Sequence, residues 1–182
     1  MQVVAGICAF DHSYSQVSDR GISIKDLFYD QRQNSISDKD DGREPQILIV
    51  DDEPINLIAI EGQLTAMNFD SINVGSGEEA LALVNSFLEQ EKPMFKLIML
   101  DYCMPGMDGP TTSRELNKLL EVVKYKGPKP YICCLSAYSE DFYRKNALEN
   151  GMHDFHTKPV CQRALIQILE ASGLMPEQKH DP

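Results

Sequence analysis

The chain has 182 residues, 42% of them hydrophobic, with 17 Lys and Arg against 28 Asp and Glu and a formal net charge of −11. That length suits one domain of ordinary size plus an appendage, with enough apolar residues for a real core. The acidic balance leaves no electrostatic footprint for nucleic acid or an anionic membrane surface, and no stretch approaches the ~20 apolar residues of a membrane span.

Met1 to Phe10 is mildly apolar but lacks the basic start and long hydrophobic core of a signal peptide. A cytoplasmic setting is therefore expected, with the nucleus as the other option. The five cysteines, Cys8, Cys103, Cys133, Cys134 and Cys161, are odd in number and lack metal-ligand spacing, which suits reduced thiols. Cys133 and Cys134 are neighbours in an apolar run, so as a strand they would face opposite sides rather than form a redox pair.

Residues 1–45 are expected to be an N-terminal extension or linker. Positions 11 to 45 are rich in Ser, Asp, Gln and Arg, and such a composition buries too little surface to offset its chain entropy. Within it Ile22, Ile24, Leu27, Phe28 and Tyr29 suggest a short docking element or a fragment of an upstream domain.

From Gln46 the pattern changes, and apolar runs alternate with helical spacing five times. Ile47 to Val50 reads as a buried strand, followed by Pro54 at a first helical position and by Ile55, Ile58, Leu64 and Met67 at helical intervals. A short alternating strand near 71–74 precedes Ser76-Gly77-Glu78-Glu79, which predicts a capping box before Ala80, Leu81, Val84, Phe87 and Leu88. Leu97 to Leu100 is a third strand. Pro110 then opens a helix carrying Leu116, Leu119, Leu120 and Val123. A fourth strand at 131–135 leads to a helix capped by Ser139 and closed by Asn150-Gly151. The last pair is a strand at 154–157 and a helix beginning at Pro159, with Val160, Leu165, Ile168 and Leu169 inward.

Runs 47–50, 97–100 and 131–135 are apolar throughout and should be central, whereas 71–74 and 154–157 mix in polar residues and should be edges. The expected fold is α/β: a flavodoxin-like (βα)5 unit over residues 46–173 with a five-stranded parallel sheet of order 2-1-3-4-5 and helices on both faces. Residues 174–182 form a short polar tail.

In such a sheet the strand ends carry the chemistry. The first strand ends in Asp51-Asp52, the third in Asp101, the fourth in Ser136, and the fifth runs into Lys158-Pro159. Carboxylates crowded in a partly desolvated crevice repel one another unless a cation joins them. Their hard oxygens, with few His or Cys nearby, favour Mg²⁺, which commonly keeps waters and phosphate oxygens in its shell. A lysine and a hydroxyl on the far side then suit a phosphoryl guest. An isolated acid at a strand end is more often a cap or a solvated residue, and Asp108 is read that way. His153 and His156 are read as surface residues, and Met104 and Met107 as loop packing.

These residues resemble the receiver (response-regulator, CheY-like) domain of two-component phosphorelays. The resemblance rests on Asp51-Asp52, on Asp101 heading Asp-x-x-Met-Pro-x-Met-Asp-Gly, on Ser136-Ala137 and on Lys158-Pro159, in the right order at the right strand ends. The run Asp-Asp-Glu-Pro-Ile-Asn at 51–56 is similar to receivers of hybrid histidine kinases, which suggests a shuttle receiver or the receiver end of a longer hybrid protein.

The resemblance implies that Asp101 is the phosphoacceptor and is modified to an aspartyl phosphate, that Asp52 and Asp101 with the Cys103 carbonyl hold Mg²⁺, and that Asp51 assists. It implies further that Lys158 neutralises phosphoryl oxygens and that Ser136 hydrogen-bonds one of them. Ser136 and Phe155 then correspond to the switch pair, although Phe155 carries no phenol hydroxyl, so its switch relies on packing. Cys103 and Tyr138 stand where the family tunes phosphate lifetime, and Lys158-Pro159 where it uses a cis peptide. The implied partners are a histidine kinase or a histidine phosphotransfer protein, with an effector face near 140–169. Such a domain catalyses its own loading and slow dephosphorylation rather than conventional turnover. Two other readings stand beside it: a degenerate receiver serving only as an interaction module, and a phosphohydrolase of the haloacid dehalogenase type, which would need a second acid where Cys103 stands.

Overall fold

A computed structural model describes residues 45–174 of the chain. The expectations for residues 22–29, for Cys8 and for residues beyond Leu174 lie outside the described residues.

Five β/α pairs follow one another: β1 (Ile47–Val50), α1 (Pro54–Ala66), β2 (Ser71–Val74), α2 (Gly77–Glu89), β3 (Leu97–Asp101), α3 (Gly109–Val122), β4 (Tyr131–Ser136), α4 (Asp141–Glu149), β5 (Asp154–Thr157) and α5 (Gln162–Ala171). The strands are all parallel in the order β2-β1-β3-β4-β5, as the apolar character of β1, β3 and β4 requires. A parallel strand covered on both faces is apolar along its length up to its carboxyl end. Burial bears this out, with every residue of β1 and β3 buried and the edge strands only partly so.

Alternation along each strand divides the core in two. Ile47, Ile49, Leu97, Met99, Cys133 and Leu135 face α1 and α5, packing against Ile60, Leu64, Leu165, Ile168 and Leu169, and Leu174 is buried with them. Leu48, Val50, Ile98, Leu100, Ile132 and Cys134 are equally buried and, by the same alternation, lie on the opposite face of the sheet. There Phe87 stacks on Phe95 with centroids 4.7 Å apart.

Several local expectations are corrected. In α1 the inward stripe is Leu57, Ile60 and Leu64, whereas Ile55 and Ile58 are 69% and 64% exposed. Both sets keep helical spacing, so periodicity alone does not choose between them. Leu83 rather than Leu88 is buried in α2, and Leu119 is half-buried in α3. Ser76 caps α2 by accepting from the Glu79 amide at 3.2 Å, but the Glu79 carboxylate accepts from the Gly75 amide instead of closing the box on Ser76. Ser139 does not cap α4: its own amide donates to the Glu140 side chain, and Glu140 occupies the cap position. The last helix begins at Gln162, after a cis Lys158-Pro159 bond and a turn through Cys161.

Candidate functional site

The register of the central strands brings the acids together. Val50 pairs with Leu100, so Asp51 and Asp101 leave adjacent strands side by side, and Asp101 pairs with Leu135, the residue before Ser136. Carboxylate oxygens of Asp51, Asp52 and Asp101 all lie within 4.8 Å of one another, a grouping able to hold a metal ion. Asp51 is fully buried and Asp101 is 5% exposed.

Lys158 comes from the loop after β5 and joins two of these acids. Its Nζ donates to Asp51 Oδ2 at 2.6 Å and lies 2.8 Å from Asp101 Oδ1. Its backbone amide donates to the Ser136 carbonyl at 2.7 Å, which locks the loop to the end of β4. Burial alone would lower the Lys158 pKa, but the hydrogen bonds to Asp101 and Asp51 outweigh it and the pKa is raised. Burial likewise pushes the Asp101 carboxyl upward, against the bond from Lys158 that holds it down. Three acids facing one lysine leave a negative excess in a partly dry crevice, the condition that favours a bound cation.

The three acids are not equivalent. Asp51 is saturated: Oδ1 accepts from the Glu53 amide at 3.0 Å and from Asn56 Nδ2 at 2.9 Å, while Oδ2 takes Lys158. Asp52 makes no hydrogen bond or ion pair among the described residues, and Asp101 is engaged by Lys158. The donor set therefore fits a hard divalent cation, with Asp52 the acid freest to ligate.

Ser136 is buried, and its Oγ accepts from the Tyr138 amide at 3.0 Å. Cys103 is exposed, and its thiol pKa is raised by burial first and then by the charges of Asp101 and Asp108. The buried Cys134 thiol behind the site is pushed up to about 12, again chiefly by burial. Phe155 is buried, with the Arg144 guanidinium 5.2 Å over its ring and Arg144 Nη2 donating to its carbonyl at 3.0 Å.

Asp108 is indeed a helix cap, accepting from the Thr111 amide at 2.9 Å. His153 is exposed and stacks on Tyr131, while His156 contacts Asp154 at 2.8 Å. Met104 is buried.

Sequence reasoning passed over Asn56, Tyr102 and Arg144. Asn56 had a readable signal, standing one turn into the helix after the acidic pair. Tyr102 and Arg144 had none, because their partners lie 44 and 11 positions away.

Comparison with known proteins agrees with this arrangement. Residues 47–170 match the model of the response regulator receiver domain family. The sensor histidine kinase GacS of Pseudomonas protegens is 37% identical over 133 residues, 72% of this chain and 14% of that protein. The chain thus spans a small part of the curated kinases it matches.

Among solved structures, the receiver domain of the histidine kinase CKI1 from Arabidopsis thaliana, in a mutant form, is 30% identical with a TM-score of 0.60, covering 71% of this chain and 91% of that one. The receiver domain of sensor histidine kinase PA1611 from Pseudomonas aeruginosa, with a magnesium ion coordinated in its active site cleft, is 28% identical with a TM-score of 0.58, covering 71% and 99%. With the five-stranded order, the gathered acids and the family match all in place, this chain belongs to the response regulator receiver domains of two-component signalling systems.

Proposed function

We propose that Asp101 accepts a phosphoryl group from a phosphohistidine and that the resulting charge is relayed to a partner-binding face. The carrying observation is the Lys158 ammonium held between Asp51 and Asp101 at 2.6 and 2.8 Å, a cation stationed where three new phosphoryl oxygens would arrive. An Asp101 carboxylate oxygen attacks phosphorus, the O–P bond forms as the P–N bond to imidazole breaks, and the departing nitrogen takes a proton from water. Lys158 then turns from its carboxylates to a phosphoryl oxygen, and the Ser136 hydroxyl is released from the Tyr138 amide to donate to another.

Mg²⁺ is the cation that the acidic grouping fits. When bound, it neutralises charge on the acids and on the incoming phosphoryl group. Asp52 and Asp101 with the Cys103 carbonyl would hold it, and Asp51, already committed to three donors, would support it through water. Loading and slow loss of the phosphoryl group are then properties of the domain itself rather than turnover of a substrate.

The donor is a histidine kinase or a histidine phosphotransfer protein. Ile55 and Ile58 stand exposed on the first turns of α1, a few residues past Asp51, and suit the donor's docking. The output face is that of α4, β5 and α5, and Phe155 is its packing switch. Residues 46–173 constitute the receiver, with 1–45 an extension or linker. No helix among the described residues is long and apolar enough to cross a membrane; the site of action proposed for the domain is the cytoplasm.

Intact-mass analysis with Mg²⁺ and acetyl phosphate tests the reading. One added phosphoryl group that requires Mg²⁺, is labile to hydroxylamine and is absent from Asp101→Asn is the expected result. No adduct, together with no Mg²⁺ binding by calorimetry, would return the chain to the interaction-module reading.

A further inference from the structure

Helix α4 is held in an unusual way for a helix lying on a sheet. Ala147 is its one buried residue, so an apolar stripe does not account for its position. What fastens it is a set of side-chain contacts to segments that carry the site residues. Tyr143 meets Tyr102 edge-on with centroids 5.2 Å apart and stacks on Tyr138 at 4.6 Å. Asn146 Nδ2 donates to the Tyr102 hydroxyl at 2.6 Å.

Tyr102 is the residue immediately after Asp101, and it is the point where the chain leaves the sheet. Its amide donates to the Leu135 carbonyl at 2.7 Å, and its carbonyl accepts from the Gly109 amide at 3.0 Å. A Cβ on Gly109 would collide with the Asp101 carbonyl, so the loop from Cys103 to Asp108 returns tightly onto this pivot. Tyr102 is 7% exposed, and its hydroxyl is the only polar group its side chain offers. Two backbone bonds hold the main chain at Tyr102, and among the described residues the bond from Asn146 is the one hydrogen bond its side chain makes. The Tyr143–Tyr138 stack closes the same circuit on the Ser136 side.

We propose that Asn146 is a positioning residue for the phosphoacceptor, acting through the Tyr102 hydroxyl, and this deepens the receiver reading above and rests on it. Attack on phosphorus requires an aligned oxygen at near contact, and small displacements of an attacking group cost rate steeply. Loosening the Asn146–Tyr102 bond leaves the acids in place but lets Asp101 sample more orientations. The expected loss is in loading rate, not in metal affinity.

The test uses the full chain with saturating Mg²⁺ and acetyl phosphate, following Asp101 loading by intact mass. Asn146→Ala removes the donor and introduces a strong helix former, while Tyr102→Phe removes the acceptor and keeps the ring stack, so either variant alone keeps the test valid. Each is expected to load about fivefold more slowly, the rate equivalent of one ordinary hydrogen bond. The Mg²⁺ Kd should move less than twofold, and the double variant should load no more slowly than the slower single one, because both changes break one contact.

Loading at the wild-type rate in either single variant overturns the proposal, as does a double variant whose loss is the product of the two single losses. If the wild-type chain takes up no phosphoryl group, the receiver reading fails and this proposal with it. Variants matching a wild-type chain that loads at Asp101 would remove this proposal alone.

Discussion

Helices α4 and α5 stand before and after the same edge strand, β5, yet different physics holds them. In α5, Leu165, Ile168 and Leu169 are all fully buried against the sheet, so the helix is fixed by non-directional burial that does not depend on the state of the site. In α4, Ala147 alone is buried, while Phe142 and Leu148 are 72% and 44% exposed. Its place is set by directional contacts to Tyr102, Tyr138 and Phe155, each a near neighbour of Asp101, Ser136 or Lys158. An element held by burial can anchor a site. An element held by contacts to the site's own loops can report on it.

The contrast breaks first at α5. Leu165→Ala should cost about 2–5 kcal/mol of stability by urea unfolding, because a fully buried leucine leaves a cavity as well as losing transfer energy. A loss below ~1 kcal/mol would mean that α5 is not the anchor.

Next comes the bridge that ties β5 to the acids. Burial lowers the Lys158 pKa, but its hydrogen bonds to Asp101 and Asp51 raise it overall. A cation held above its unfolded value of ~10.4 contributes stability that is complete below that pH and is lost as pH rises through the folded value. Lys158→Met should therefore be less stable than the wild type at pH 7, and the gap should narrow as pH passes above ~10.4. Urea melts at pH 7 and pH 11 measure both points, and a gap that widens with pH would refute the assignment.

On α4 the expected effects are smaller. Phe142→Ala should change stability by less than about 1 kcal/mol, since Phe142 is 72% exposed and its ring meets only the edge of the adjacent Tyr143, with centroids 5.5 Å apart. A larger loss in thermal unfolding would show that α4 rests on burial after all.

The smallest expected effect is no reaction. In the native protein at pH 8, iodoacetamide should leave Cys134 unmodified, since burial pushes its thiol up to about 12 and the thiolate is the reactive form. Peptide mapping that finds Cys134 labelled as fast as the exposed Cys161 would place it outside the core.

Much of this arrangement was legible in advance, and the legible parts share a cause. Five alternations of apolar run and helical spacing specified the (βα)5 unit, and the wholly apolar character of 47–50, 97–100 and 131–135 specified which strands are central. The acids, the hydroxyl and the lysine were readable because each stands at a strand end, where parallel sheets direct side chains into a common crevice. What misled was choice among equals. Ile55 and Ile58 keep the same helical period as Leu57, Ile60 and Leu64, which face inward instead. Such ties are settled by the direction from which the neighbouring element arrives.

Strand order, the burial of the central strands and the identity of the charged groups were readable from the residues, since they follow from the apolar runs and from chain connectivity. Only the folded chain shows that Lys158 bridges Asp51 and Asp101 and that Asn146 reaches Tyr102. Those contacts join residues brought together by the closing of the sheet, and their ångström-scale distances depend on packing that no local pattern encodes.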